Sequence, residues 1–226
     1  MQGRKKGLVI AIDGPSGAGK STVARLLAQR LGYTYIDTGA MYRAIGWKAK
    51  RDGVDPAAEQ GMAGLCSRTE VTISTDNAAP RIVVDAIDVT GEIRTPEMGM
   101  LASAVSKSPA VRARLLGLQR ELGRHGGVVM DGRDIGTVVF PTADLKFFLD
   151  ASPEERGQRR YLELRQKGLE VDLDRITREI RERDRQDSGR ELAPLKAADD
   201  ARVIDSSTMS IDEVLAFMME SAGKRI

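Results

Sequence analysis

Short apolar runs, most of them closed by an aspartate, alternate along this chain with longer stretches in which apolar positions return every three or four residues. The short runs are Leu8–Asp13, Tyr33–Asp37, Val128–Asp131, Leu145–Asp150 and Arg202–Asp205. Strands separated by helical periodicity predict an α/β fold, a five-stranded parallel sheet covered by helices on both faces. In such sheets ligands gather at the carboxyl ends of the strands, where these aspartates stand, although two or three of them are expected to be solvated turn residues. Helical spacing places Val23, Leu26, Leu27 and Leu31 on one face. Further helices are predicted around Ala40–Arg51, from Pro96 to about Lys107, from Pro109 to about Arg124, from about Leu173 to Asp187, and over Ile211–Met219. Between the second and third strands, Val71–Thr75, Arg81–Val84 and Ile87–Val89 flank a turn-rich Asp76–Pro80 and read as a small antiparallel insert.

The first strand runs into Gly14-Pro15-Ser16-Gly17-Ala18-Gly19-Lys20-Ser21-Thr22, and a helix follows at once. Strand, glycine loop, Lys-Ser and helix together form the context of a phosphate-binding loop, a P-loop. The glycines let successive backbone N–H groups turn inward around an anion, and the helix adds its positive end. Lys20 is expected to reach the β- and γ-phosphates, and the Ser21 hydroxyl to ligate Mg²⁺. A glycine-rich turn with a chance lysine is the alternative; the agreement of every fixed position with its flanking elements speaks against it. The chain therefore reads as a nucleoside triphosphate binder, with Asp131 at the end of a strand expected to support the Mg²⁺.

Charge changes the picture in one place. Over 226 residues the formal net charge is only +2, which argues against nucleic-acid or membrane surfaces as partners. After the fourth strand, however, Ser152-Pro153-Glu154-Glu155 starts a helix with an N-cap and a proline in its first turn. Arg156, Arg159, Arg160 and Arg165 follow, then Arg175, Arg178, Arg181, Arg183 and Arg185 on the next helix. Such charged helix pairs are often plain solvated surface. The bias to arginine over lysine favours planar recognition of phosphate and predicts a mobile lid. The organisation expected is one domain over residues 1–226, with a core of about 1–60, 102–150 and 195–226, an acceptor-side insert of about 61–101 and a lid of about 151–194.

With one histidine (His125, placed at a helix end) and one cysteine, neither zinc chemistry nor a Ser-His-Asp mechanism has its parts. Cys66 beside Met62–Leu65 reads as a buried thiol, consistent with a reducing compartment. Arg4-Lys5-Lys6 precedes an apolar run too short for a leader, and no run reaches membrane length, so the expectation is a cytoplasmic monomer. A GTPase would carry Asn-Lys-x-Asp, which is absent. A small phosphoryl-transfer enzyme remains. A kinase for another small acceptor, or a nucleotide-gated module that grips a partner, stay open on these features alone.

Longer blocks narrow the choice: Ile12–Thr22, Asp37-Thr38-Gly39-Ala40-Met41-Tyr42-Arg43, Gly91-Glu92-Ile93-Arg94-Thr95, Asp131-Gly132-Arg133-Asp134-Ile135-Gly136-Thr137-Val138-Val139-Phe140-Pro141 and Glu182–Ser188. From Leu8 to the last helix the chain resembles the bacterial cytidylate kinases, nucleoside monophosphate kinases of the P-loop class. Thr38 stands where some relatives have serine, and both supply a hydroxyl. The resemblance implies transfer of the γ-phosphoryl of ATP to CMP or dCMP, with Mg²⁺. It implies that Arg43, Arg133 and Thr38 hold the acceptor phosphate and that Arg190 stands near the transferring phosphoryl. It also implies that Asp134 accepts from the cytosine amino group, with Ser103 and Arg112 at the N3 and O2 side. Arg183 and Asp187, one turn apart, are expected to face the sugar, an intrahelical ion pair being the alternative. Of the lid arginines, Arg156 and Arg160 are expected at the donor phosphates.

Overall fold

In chain order the elements are β1 (Val9–Asp13), α1 (Lys20–Leu31), β2 (Thr34–Asp37), α2 (Thr38–Arg51), α3 (Glu59–Arg68), β3 (Val71–Ile73), β4 (Ile82–Val84), β5 (Ile87–Asp88), α4 (Pro96–Val105), α5 (Pro109–Gly123), β6 (Val128–Gly132), β7 (Leu145–Asp150), α6 (Pro153–Gln166), α7 (Leu173–Ser188), β8 (Arg202–Asp205) and α8 (Ile211–Gly223). They come from a computed structural model that describes residues 7–74 and 80–225. Most of the turn expected at Asp76–Pro80, and the basic start at Arg4–Lys6, lie outside the described residues.

The expected parallel sheet is present, with strand order β2-β6-β1-β7-β8 and every pairing parallel. Because side chains alternate across a strand, β1 sends Ile10 and Ile12 to one layer and Ala11 to the other. The first layer closes with Val23, Ala24 and Leu27 of α1 and Val214, Leu215 and Met218 of α8. The second closes with Met41, Ala44 and Ile45 of α2 and Leu115 of α5. Aliphatic residues and methionine make up most of both layers, with Phe147 of β7 buried in the first, as suits a chain with 4% aromatics. The antiparallel sheet β3-β4-β5 rests on this second layer through Val71, Ile82 and Val84. The helix α3 was not legible from the sequence. Its buried Met62, Leu65 and Cys66 have helical spacing, but Gly61 and Gly64 break the propensity over the same ten residues. Cys66 is buried and free, and burial pushes its thiol up, so it is a packing residue.

Parallel register aligns the strand ends. Asp37 stands opposite Asp131, Asp13 opposite Gly132, and Asp150 opposite Asp205. Asp150 and Asp205 are turn residues, accepting from the N–H groups of Ala151 and Ser207. Of the aspartates on the β2-β6-β1 side, Asp37 and Asp131 face the cavity, while Asp13 is buried behind it and accepts from the N–H groups of Ile135 and Gly136. The loop after β1 packs tightly: a Cβ on Gly14 would lie 2.0 Å from the Leu149 carbonyl oxygen, and its φ is +146°. Helices α6 and α7 pack on each other with a small core of their own, Leu164, Ile176 and Ile180. Gly14→Ala should therefore push the loop off β7 and destabilise the protein by about 2 kcal/mol, lowering the melting temperature by about 4–8 °C. A thermal melt of the two proteins checks this.

Candidate active site

One cavity of about 670 Å³ opens along the carboxyl ends of the strands. Its wall includes Ser16 to Thr22 of the loop, Thr38, Tyr42 and Arg43 of α2, Ser103 of α4, Arg112 of α5, Asp131 to Asp134 after β6, and Arg160, Arg183, Asp187 and Arg190. Sequence reasoning placed nearly all of these in the site; the fold gathers them from seven elements. Gly14, Pro15 and Arg156 are not in the wall.

The loop ends at Gly19, whose φ of +90° caps α1 without a side-chain bond. No acidic residue occupies the first turn of that helix, so its positive end is left for an anion. Lys20 is buried and donates to the Pro15 carbonyl at 2.6 Å. Burial, reinforced by Arg133, lowers its pKa well below that of an ordinary lysine. The Ser21 hydroxyl donates to Asp131 Oδ2 at 2.7 Å, and the Tyr35 hydroxyl to Oδ1 at 3.0 Å. Among the described residues no three acidic, histidine or cysteine side chains cluster into a metal cage. A hydroxyl beside a single carboxylate is a hard oxygen pair that suits an ion keeping most of its other ligands as water or phosphate.

Opposite the loop, cations crowd. Asp37 caps α2 through Ala40 N–H and pairs with Arg43 at 2.8 Å. Thr38 donates to the Asp131 carbonyl at 2.7 Å. Asp187, 1% exposed, is bonded by Arg133 at 3.1 Å and by Arg190, while Arg183 stands 4.0 Å away. The simple intrahelical pair between Arg183 and Asp187 is thus replaced by a three-arginine hub. The buried Nε groups of Arg43, Arg183 and Arg190 find no hydrogen-bond partner. Burial, then Arg133, pushes Arg183 down to about 10. Arg43, Arg133, Arg183 and Arg190 all line this one cavity, and such a concentration of guanidinium groups marks a site for an anion. Beside them Arg112 pairs with Asp134, and Tyr42 lies under the Arg112 guanidinium with 6.0 Å to the ring centre. Arg190 also approaches Ser103 Oγ at 3.5 Å.

The helix pair α6–α7 divides its arginines. Arg156, expected at the donor phosphates, is 2% exposed and fully committed elsewhere. It bonds the Ala151 and Ser16 carbonyls and both Asp184 oxygens, at 2.6 and 3.0 Å. It pins the two helices to the loop, because its position on the inner face of α6 meets α7 before it meets the cavity. Arg160 is at the wall and pairs with Glu163 at 2.7 Å. Sequence reasoning missed Arg159, which lines the cavity and donates to the Ser206 carbonyl at 2.6 Å. It also missed Ser206, Met209 and Ile211; Ser206 and Met209 are loop residues that carry no pattern, Ile211 opens α8, and only their position beyond β8 could have signalled them.

Burial, then the neighbouring Asp37, pushes the Asp131 carboxyl up to about 6. A folded-state pKa above the unfolded value means the group's contribution is fully present below about 4 and is lost as pH rises through 6. Asp131→Asn keeps the shape and lets the Ser21 and Tyr35 hydroxyls reorient. In Mg²⁺-free buffer it should be more stable than the parent by about 1–3 kcal/mol at pH 7.5, with the difference vanishing near pH 4. Melts across that pH range measure it.

Residues 10–224 match the family model described as Cytidylate kinase. The cytidylate kinase of Geobacter sulfurreducens is 56% identical over 93% of this chain and 91% of its own length. That of Geobacter sp. strain M21 is 51% identical over 99% and 96%. An uncharacterized protein from Eubacterium ventriosum shares the fold alone, with a TM-score of 0.51 at 11% identity over 96% of this chain and 98% of that one. With its loop, its arginine hub and its Arg112–Asp134 pair in one cavity, and with relatives this similar along nearly the whole length, the chain belongs to the cytidylate kinase family.

Proposed function

We infer that this cavity phosphorylates CMP with ATP, and that dCMP is a second acceptor. The observation that carries the reading is the set of guanidinium side chains, Arg43, Arg133, Arg183 and Arg190, that line the same cavity as the P-loop. A loop for one polyanion and a guanidinium nest for another, in one cavity, is what transfer between two nucleotides requires.

The residues Ser16 to Thr22 cradle the donor phosphates, and Lys20 exchanges the Pro15 carbonyl for phosphate oxygens. Ser21 and Asp131 would hold Mg²⁺, which supplies neutralisation of the donor's phosphate charge when bound. Arg43, Arg133 and Thr38 take the acceptor phosphate, Arg190 the transferring group, and Arg160 with Arg159 the donor side. The attacking atom is a phosphate oxygen, already ionised at neutral pH because a phosphomonoester's second pKa is about 6. No side chain has to remove a proton, and His125 is outside the cavity wall. The work left to the protein is alignment of two anions and neutralisation of their repulsion. When the acceptor's phosphate draws arginines from Asp187, that carboxylate is freed for the sugar hydroxyls beside Arg183.

For the base, Asp134 accepts from the cytosine amino group, while Ser103 and Arg112, the latter over the Tyr42 ring, meet the N3 and O2 side. Uracil would turn a carbonyl toward Asp134, leaving two acceptors face to face. We take residues 61–101 as the acceptor-side insert and 151–194 as a lid hinged on either side of α6–α7. Closure over both nucleotides keeps water from the γ-phosphoryl. The one cysteine, Cys66, is free, which suits a reducing compartment, and we take the protein to be a cytoplasmic monomer; no helix among the described residues is long and apolar enough to cross a membrane.

ADP formation measured with CMP, dCMP, UMP and AMP in turn tests the reading. CMP and dCMP should be turned over far better than UMP and AMP, and EDTA should abolish the activity with all four. Absence of CMP-dependent ADP formation would sink it. Asp134→Asn should lower the CMP-over-UMP ratio of kcat/KM by about tenfold while the ATP KM moves less than about twofold. An unchanged ratio removes Asp134 from base reading.

A further inference from the structure

The segment after Asp134 is a single π-helical turn, Ile135–Val139, with Asp134 at its N-cap position. Aspartate is among the best capping residues, since its carboxylate can accept from the first free N–H groups of its own turn. Here it does not: Asp134 makes no capping bond and pairs instead with Arg112. The N–H groups of Ile135 and Gly136 are satisfied from another strand, donating to Asp13 Oδ1 at 2.8 Å and Oδ2 at 2.7 Å. Asp13 is 4% exposed and is the last residue of β1, immediately before the P-loop.

We propose that Asp13 is the positioning residue for base selection: by capping the Ile135–Val139 turn from β1, it releases the Asp134 carboxylate into the cavity. This rests on the reading of Asp134 as the group that meets cytosine. Two further observations support the role. A Cβ on Gly136 would lie 3.1 Å from Lys146 Cδ and 3.3 Å from Asp13 Oδ2, so the carboxylate and the Lys146 stem close tightly over the glycine. A buried carboxylate is costly unless its oxygens are bonded. Asp13, pushed up to about 6 by burial against the pull of the two amides, is ionised at assay pH and accepts through both oxygens. Without it, two buried N–H groups lose their acceptor, and the nearest carboxylate able to replace it by local geometry is Asp134 itself. Asp134 would then leave Arg112 and the cavity.

Asp13→Asn, Asp134→Asn and the double variant, assayed at pH 8 with saturating Mg-ATP against CMP and UMP, test this. Asp13→Asn should lower the CMP-over-UMP ratio of kcat/KM by about tenfold, mainly through the CMP KM, with the ATP KM within about twofold. The double variant should fall no further than Asp134→Asn, because a residue acting through another shows no separate effect. A ratio preserved in Asp13→Asn but lost in Asp134→Asn overturns the proposal and leaves base reading by Asp134 standing. If Asp134→Asn itself keeps the ratio, base reading fails, and the crystal structure of Asp13→Asn decides. Asp134 turned from Arg112 onto the N–H groups of its own turn supports the capping role; an intact Asp134–Arg112 pair overturns it. Should Asp13→Asn not fold, Asp13→Ser, which leaves a single short hydroxyl in place of the two carboxylate oxygens, is read in the same two assays.

Discussion

Like charges confined together govern this structure. Lys20, Arg43, Arg112, Arg133, Arg183 and Arg190 share one cavity, and burial weakens the solvation that would otherwise soften their repulsion. The strain shows in Lys20 and Arg183, both lowered by burial and next by Arg133. The fold tolerates the cluster because carboxylates and carbonyls are set among the cations. Asp37 is on Arg43, Asp134 on Arg112, Asp187 between Arg133 and Arg190, and the Pro15 carbonyl on Lys20. On the proposed reading, nucleotide binding is an exchange of partners in which phosphate oxygens replace internal acceptors; such an exchange gives back part of the binding energy, but it starts from guanidiniums already held in the cavity.

The internal carboxylates also explain why the site stays built. A buried ion pair adds little net stability against an apolar alternative, but removing one partner leaves an uncompensated charge. Asp187 with its arginines ties α7 to the end of β6, and Asp184 with Arg156 ties α7 to α6 and the P-loop. These ties are polar, whereas the sheet layers are apolar on both faces. The Asp187 tie lies in the cavity wall, where its arginines could also meet a ligand, whereas the Arg156 tie and the packed aliphatic layers are closed off from it.

Local spacing carries local structure. The loop, the strand runs, the Ser152-Pro153 helix start and the amphipathic helices depend on neighbours within a few residues, and they stand where periodicity and capping put them. The helix α3 escaped notice because two glycines mask a buried stripe that only tertiary packing rewards. Arg156 and Arg159 look alike in the sequence, yet one is a buried pin and the other lines the cavity. A helix's turn angle separates them, but which face meets α7 is decided by packing.

By itself, the sequence determined the α/β class, the phosphate loop, the acceptor blocks and therefore the family, because each is written in residue types at short fixed spacings. Only the tertiary structure decided that Asp187 serves three arginines, that Asp150 and Asp205 are turn caps while Asp37 and Asp131 face the cavity, and that Asp13 caps a turn 122 residues away. Those outcomes depend on which strand ends become neighbours, and strand order is set by long-range packing that no local pattern encodes.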